Sequence, residues 1–540
     1  MSELPCLTMP QVKNVVFLML ENRSLDNLLG WLYEKDNPKR VLPENSSKVY
    51  DGLQTGPYSN PAYTWDDNVK NYPVTKIPGG LGSNADRMPY YDPNEDMFSS
   101  SIYWNGVMNQ LFGNQDQISN LPYSPTVAGM KGFLQDYYTK NMVTYKGLDI
   151  LWTYTPDDLP VINGLARCYA VSDRWLCSVP SQTNPNRAYS ICGTSMGRES
   201  NLHYSAVETF DVNTIFNSLA SAGKSLGLYY TDVWKDGMNY TEYTFPHIQK
   251  ITHFDCTNAN PVPPKQIEVC TIGKFFQRAN NGTLPAFTYL EPKWGYGWNG
   301  LAAKQGTDYH PPTHLQPGED FLTQVYSAVS NSKQWNQTLL IVTFDEHGGT
   351  YDHFAPPWTA TNPDGLNGPS GFMFNLFGAR VPTILISPFT YPSTVFRAPV
   401  GDANPYNLPF DHTSFIKTLL MWAGVDPNTA GFGKRMPKAP TFDYVLASTP
   451  VNQAKCVLKQ PKPPAAAVGG EQVFSAAPDE SLDSLFEGVP FAVVKAILGA
   501  DPNQSFSGIR AEIKRYRSDP EKFESLLTAA SGQTRKHGPR

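Results

Sequence analysis

Five short apolar runs stand out along the chain: Val15–Leu20, Leu226–Thr231, Ala286–Leu290, Leu339–Phe344 and Val381–Ile386. None shows regular polar–apolar alternation, so each reads as a strand buried on both faces. Between them lie stretches with helical spacing. "TIFNSLASAG" and "HTSFIKTLLMWAG" place apolar residues three and four apart and end in Gly, a common helix stop. Strands alternating with helices predict an α/β fold on a mostly parallel central sheet flanked by helices.

Two regions break this pattern. Residues 57–91 are rich in Asn, Pro, Tyr and Asp and read as a long surface loop or excursion. Near Lys455 the composition shifts, and "LKQPKPPAAAVGGE" has the content of a linker. Beyond it, "SLDSLFEGVPFAVVKAILG" and "IRAEIKRYRSDPEKFESLLTAA" read as amphipathic helices. The expected organisation is a catalytic body over residues 1–454, a Pro/Ala/Gly-rich linker over 455–474 and a small helical C-terminal segment over 475–540. From Ser507 to Arg540, eight Lys/Arg stand against four Asp/Glu, a local +4. That is either a solvated helix face or a docking face for a membrane surface or a second copy, which would make a homo-oligomer.

Composition narrows the function classes. The chain of 540 residues is 40% apolar and 17% charged, which suits a soluble globular protein. Its formal net charge of −6 argues against nucleic acid as a partner. No run approaches the roughly 18 apolar residues of a membrane span. Val15–Leu20 is also too short for the core of a secretory signal, and Glu21 follows it at once. The expectation is a protein without a cleaved signal peptide, cytoplasmic or exported by a non-classical route. None of the seven cysteines forms a C-x-x-C pair, which argues against a structural zinc site. Cys256 and Cys270 flank a Pro-rich loop and either close it as a disulfide or remain thiols.

The candidate chemistry lies where buried strands stop. Binding sites of open parallel sheets gather at the carboxyl ends of the strands. Glu21 and Asn22 directly follow Val15–Leu20, and Asp345, Glu346 and His347 directly follow Leu339–Phe344. Three carboxylates at two strand ends would repel one another unless a cation sat between them. In "SVPSQTNPNR", Thr183 precedes Asn184 and Pro185, so it reads as an N-cap with Arg187 one turn on. A hydroxyl there is favoured as an alkoxide by the helix dipole and by a nearby metal, and could attack phosphorus. Four histidines lie in suggestive contexts: His247 in "FPHIQK", His310 in "DYHPP", His353 in "YDHFAPP" and His412 in "DHTS".

Taken together, "ENRSLDNLLGW", "DGLQTGPYSNP", "DPNEDMF", "SVPSQTNPNR", "GTLPAFTYLEP", "DYHPP", "DEHGGTYDHFAPP" and "DHTSFIK" resemble, in order, the phosphoesterase family of bacterial phosphatidylcholine-hydrolysing and plant non-specific phospholipases C and acid phosphatase. The resemblance runs from about Val12 to Phe442 and implies an alkaline-phosphatase-like fold. It also implies roles. Glu21, Asn22, Asp345 and Glu346 would hold a divalent metal (Zn, Ca, Mg or Mn), and Thr183 would be both ligand and nucleophile. His310 and His247 would stand by the phosphate. His353 is a further catalytic candidate from its motif. The region before "WNGVMNQLFG" lacks a histidine that some members carry, which leaves Glu95 as a candidate for contact with the leaving group.

The expected activity is metal-dependent phospholipase C cleavage of a phosphatidylcholine-type lipid through a phosphothreonine, with only transient contact with the membrane surface. Aromatic loops such as "YLEPKWGYGWNG" favour a choline head group, because Trp and Tyr faces attract quaternary ammonium. The alternatives are a phosphomonoesterase with the same site and, in another class, a membrane- or protein-binding module with a structural metal.

Overall fold

The computed structural model describes residues 8–63, 69–78, 89, 106–113, 127–140, 148–201, 209–295 and 306–459. Glu95, residues 296–300 of the "YLEPKWGYGWNG" loop, and the C-terminal segment with most of its linker lie outside the described residues.

Fourteen strands are described: β1 (Asn14–Leu20), β2 (Arg40–Leu42), β3 (Ser59–Tyr63), β4 (Val69–Pro73), β5 (Thr75–Lys76), β6 (Trp152–Thr153), β7 (Ala170–Ser172), β8 (Leu226–Tyr230), β9 (Thr252–Phe254), β10 (Gln266–Thr271), β11 (Phe287–Leu290), β12 (Thr338–Phe344), β13 (Thr383–Ile386) and β14 (Thr394–Phe396). Ten of them form one sheet in the order β2-β14-β7-β13-β12-β1-β11-β8-β10-β9. All pairs are parallel except those of β13, which runs against β12 and β7. Each of the five apolar runs supplies one of these strands. The region read as a loop holds the β3–β4 hairpin instead, because Ser59–Tyr63 pairs antiparallel with Val69–Pro73.

β1 and β12 occupy the middle of the sheet, and every residue in both is buried. Helices on the faces make this burial possible. Thr413–Ala423, for example, turns Phe415, Ile416, Leu419 and Leu420 into the core and stops at Gly424, which adopts φ 78°. Each large apolar side chain removed from water this way contributes roughly 1.5–3 kcal/mol. A second, smaller apolar cluster joins the helices Val107–Phe112 and Phe133–Lys140 to Tyr351, Phe372 and Phe374.

Two disulfides are present, Cys256–Cys270 and Cys168–Cys456. The second has no local signature, since its cysteines are 288 residues apart. It fixes residues 455–459 of the expected linker against the body, where the Cys456 N–H also donates to Tyr326 Oη. No helix among the described residues is long and apolar enough to cross a membrane.

Candidate active site

The register of the two central strands builds the site. Leu20 pairs with Phe344, so Glu21 and Asp345 emerge side by side from the carboxyl end of the sheet. The Asp345 N–H still donates to the Leu20 carbonyl at 3.2 Å. The chain then turns sharply at Asn22, whose φ is 59°. Asn tolerates this left-handed conformation better than most residues. The turn is pinned by the Asn22 N–H donating to Asp345 Oδ1 at 3.0 Å. Opposite it, Gly348 has φ 59°, and a Cβ there would lie 2.2 Å from the Asn22 carbonyl oxygen, so only glycine lets the two loops meet. Ser24 caps the following short helix, its hydroxyl accepting from the Asn27 N–H at 3.1 Å.

Thr183 reaches this corner from a third element, the helix Thr183–Ile191. The helix begins one residue earlier than the sequence suggests. Gln182 is the N-cap and makes no side-chain cap bond, so Thr183 is the first helical residue. Its hydroxyl is therefore not engaged in capping. It lies 3.1 Å from Glu21 Oε1 and 3.4 Å from Asn22 Oδ1.

Around this core the polar groups are closely held. Arg187, one turn after Thr183, donates to Asp345 Oδ2 at 3.0 Å and to the Met19 and Leu20 carbonyls. Burial alone would lower its pKa, but Asp345 and neighbouring acidic groups more than offset this and keep the guanidinium charged. Its other side rests on the Trp294 ring, 4.8 Å from the centroid. The Asp345 carbonyl lies 2.5 Å from His412 Nε2, and burial pushes that imidazole down to about 4, so it is neutral near pH 7. Glu346 accepts from the Gly348 N–H at 2.6 Å and lies 3.3 Å from His347 Nδ1. His310 Nε2 is 2.9 Å from Asn22 Nδ2.

Two further residues belong here. Asp308 is buried, its carboxyl is hydrogen-bonded to the Glu21 side chain, and its carbonyl accepts the Glu21 N–H at 2.8 Å. Burial pushes its pKa up. Glu291 follows β11, the strand beside β1, and accepts from the Thr241 N–H at 2.7 Å; burial raises it to about 7. The strand-end rule that singled out Glu21 applies equally to Glu291, and Asp308 stands two residues before His310.

The structure does not bring the other two histidines to Thr183. His247 lies on the 3-10 turn Pro246–Lys250, 2.9 Å from Asp211 and 2.7 Å from Lys250 Nζ. His353 Nδ1 is 2.6 Å from Asp26 Oδ2 and its Nε2 is 3.3 Å from Asp51 Oδ1. Among the described residues, Asp26, Asp352 and His353 form the one trio of His, Cys, Asp or Glu whose ligand atoms lie within 4.8 Å of one another. A cation already serves that trio: Arg380 donates to Asp26 Oδ1 at 2.9 Å and to Asp352 Oδ1 at 3.0 Å.

At the Thr183 corner the convergent donors are carboxylate, carboxamide and hydroxyl oxygens, and the Glu21 and Asp308 carboxyl groups touch. Two buried carboxyl groups in contact are held by a shared proton or by a cation, and oxygen donors of this kind are the set a hard divalent ion takes; Glu21, Asp345 and Glu346, however, do not bring three ligand atoms within 4.8 Å of one another.

The phosphoesterase family profile matches residues 12–425. The chain belongs to the phosphoesterase family. Non-specific phospholipase C5 of Arabidopsis thaliana is 31% identical over 414 residues, covering 76% of this chain and 69% of that protein. Non-specific phospholipase C4 of the same plant is 32% identical over 449 residues, covering 81% and 72%. Phospholipase C A of Mycobacterium tuberculosis is 24% identical over 471 residues, covering 83% and 80%. Among solved structures, an alkaline phosphatase superfamily protein from Vibrio parahaemolyticus is 14% identical, covers 52% of this chain and 64% of that one, and has a TM-score of 0.30. That overlap is too slight to build on. The family is shown by the sequence matches, and they span the strand ends, the Thr183 helix and His310 alike.

Proposed function

We propose that this phosphoesterase is a phospholipase C that cleaves a phosphatidylcholine-type lipid to diacylglycerol and phosphocholine by two-step phosphoryl transfer. The observation that carries the reading is the Thr183 hydroxyl, at the start of a helix, directed at Glu21 and Asn22. Relatives named as phospholipases C at 31% and 32% identity support the substrate class.

In this mechanism Thr183 Oγ1 passes its proton to Glu21 Oε1, the carboxylate oxygen it donates to, and attacks phosphorus as the bond to the leaving alcohol opposite it breaks. The helix N-terminus favours the developing negative charge. A divalent cation, Ca, Mg, Mn or Zn, held by Glu21, Asn22, Asp345 and Glu346 would supply Lewis-acid activation and charge neutralisation. Arg187 keeps Asp345 oriented and compensates its charge. Diacylglycerol leaves with a proton taken from solvent, and water then attacks the phosphothreonine, breaking the bond between phosphorus and Thr183 Oγ1, so that phosphocholine is released and the hydroxyl is restored. Rate acceleration rests on positioning and electrostatics, as in phosphoryl transfer generally.

The two disulfides favour work in an oxidising compartment over the cytoplasm. The choline preference is tested by comparing p-nitrophenylphosphorylcholine with p-nitrophenyl phosphate. Faster cleavage of the monoester would replace this reading with the phosphomonoesterase alternative.

A further inference from the structure

The family resemblance puts His310 beside the phosphate, but both ring nitrogens are engaged with the protein. Nδ1 lies 2.6 Å from the Pro311 carbonyl oxygen. A carbonyl oxygen only accepts, so Nδ1 carries the hydrogen. Nε2 lies 2.9 Å from the amide nitrogen of Asn22. An amide nitrogen only donates, so Nε2 presents its lone pair. The two contacts select one tautomer, and that tautomer selects one orientation of the carboxamide. Nδ2 faces the ring, and Oδ1 faces Thr183 Oγ1 at 3.4 Å.

We infer that His310 is a positioning residue, which holds the Asn22 carboxamide with its oxygen turned toward Thr183. The inference rests on the phosphoesterase reading above and on Asn22 as a cation ligand. The oxygen and nitrogen of an Asn side chain are nearly the same size, and its terminal torsion is soft. Nothing in Asn22 itself therefore decides which atom faces Thr183. Turned the other way, the NH₂ group would point hydrogens at the Thr183 hydroxyl and offer a cation no lone pair. A partner on the far side of the amide removes this choice. His310 is well placed for the task because it is itself fixed. It is buried, its N–H donates to Asp308 Oδ1 at 3.2 Å, and its carbonyl accepts from the Thr313 N–H at 2.9 Å.

Two polar variants test the role. His310→Gln places a carbonyl oxygen where Nε2 was, so it can still accept from Asn22. His310→Asn carries its oxygen near the Nδ1 position and leaves Asn22 without that acceptor. The metal-free full-length enzyme and both variants are titrated with Mn²⁺, free Mn²⁺ is read by electron paramagnetic resonance, and folding is checked by thermal denaturation. Residues that orient metal ligands typically carry about 10- to 100-fold in affinity. The expected result is a His310→Gln affinity within about threefold of the wild type and a His310→Asn affinity weaker by about 10- to 100-fold. Equal Mn²⁺ affinity in all three proteins, with kcat lost in both variants, overturns the inference and returns His310 to a direct phosphate contact. Equal weakening of both variants also overturns it, because the acceptor would then not be what matters. A wild type that takes up neither Mn²⁺ nor Zn²⁺ nor Ca²⁺ removes the metal reading, and this inference with it.

Discussion

Two acidic clusters sit at the same end of the sheet and are built in opposite ways. In the first, Asp26, Asp352, Asp51 and His353 gather around Arg380, which is fully buried and also donates to the Asp51 and Asp173 carbonyls. The counter-charge is part of the chain. In the second, Glu21, Asn22 and Thr183 turn oxygens toward one another, while the guanidinium of Arg187 is given to Asp345 and the end of β1. Carboxylate density alone therefore does not mark a cation site. What differs is where the buried arginine stands: Arg380 is bonded to both Asp26 and Asp352, whereas Arg187 is paired with Asp345 and leaves Glu21, Asn22 and Thr183 facing one another. The Asp26 cluster is therefore built as an ion-pair network, although His353 lies in a family motif, and the Thr183 corner is the proposed reactive site.

The largest expected effect falls on the second cluster. Thr183→Ala should lower turnover of p-nitrophenylphosphorylcholine at least about a thousandfold, as loss of a nucleophile does, while Mn²⁺ uptake persists. Near-normal turnover in that variant would remove Thr183 as nucleophile. Arg380→Met probes the first cluster. It strands two buried carboxylates and should cost about 3–5 kcal/mol in urea denaturation. Unchanged stability would mean that the two clusters are not different in kind.

Chelation separates the clusters without mutation. A chelator should abolish hydrolysis and lower the melting temperature, with one added divalent metal restoring both. In Arg380→Met the chelator-induced shift should persist, because Arg380, not a metal, serves the Asp26 cluster.

A milder contrast comes from pH. Burial would lower the His353 pKa, but Asp26 and Asp51 more than offset this and raise it to about 9. A group raised in the folded state adds stability that is complete below its unfolded value, about 6.5, and is lost as pH rises through the folded value. The stability gap between wild type and His353→Gln should therefore be widest below about pH 6.5 and close toward pH 9. A gap that widened with pH would reverse the assignment. The smallest effect is expected of Ser24→Ala, which removes the cap of the helix after Asn22 at about 1 kcal/mol.

Much of the site was legible because it obeys a local rule. A buried strand has to end, and a polar pair at its end is visible in the sequence. Glu21–Asn22 and Asp345–Glu346 follow from that rule, and Thr183 follows from Pro185 in the first turn of its helix. Asp308 and Arg380 obey no local rule. Asp308 is recognised only by its contact with Glu21, far away in sequence, and Arg380 by the three acidic residues it meets. The one antiparallel strand of the ten-stranded sheet, β13, was invisible for the same reason, since direction within a sheet leaves no trace in an apolar run.

The sequence alone determined the α/β class, the central strands and the identity of the polar pairs at their ends, because burial and periodicity are local properties of the chain. Only the tertiary structure decided which pairs meet. The register of Leu20 with Phe344 set Glu21 beside Asp345, and the close approach at Gly348 let the Asn22 turn pack between them. It also placed one buried arginine among Asp26, Asp352 and Asp51 and another beside Asp345. Long-range electrostatics depends on distance through space, which the order of residues does not carry.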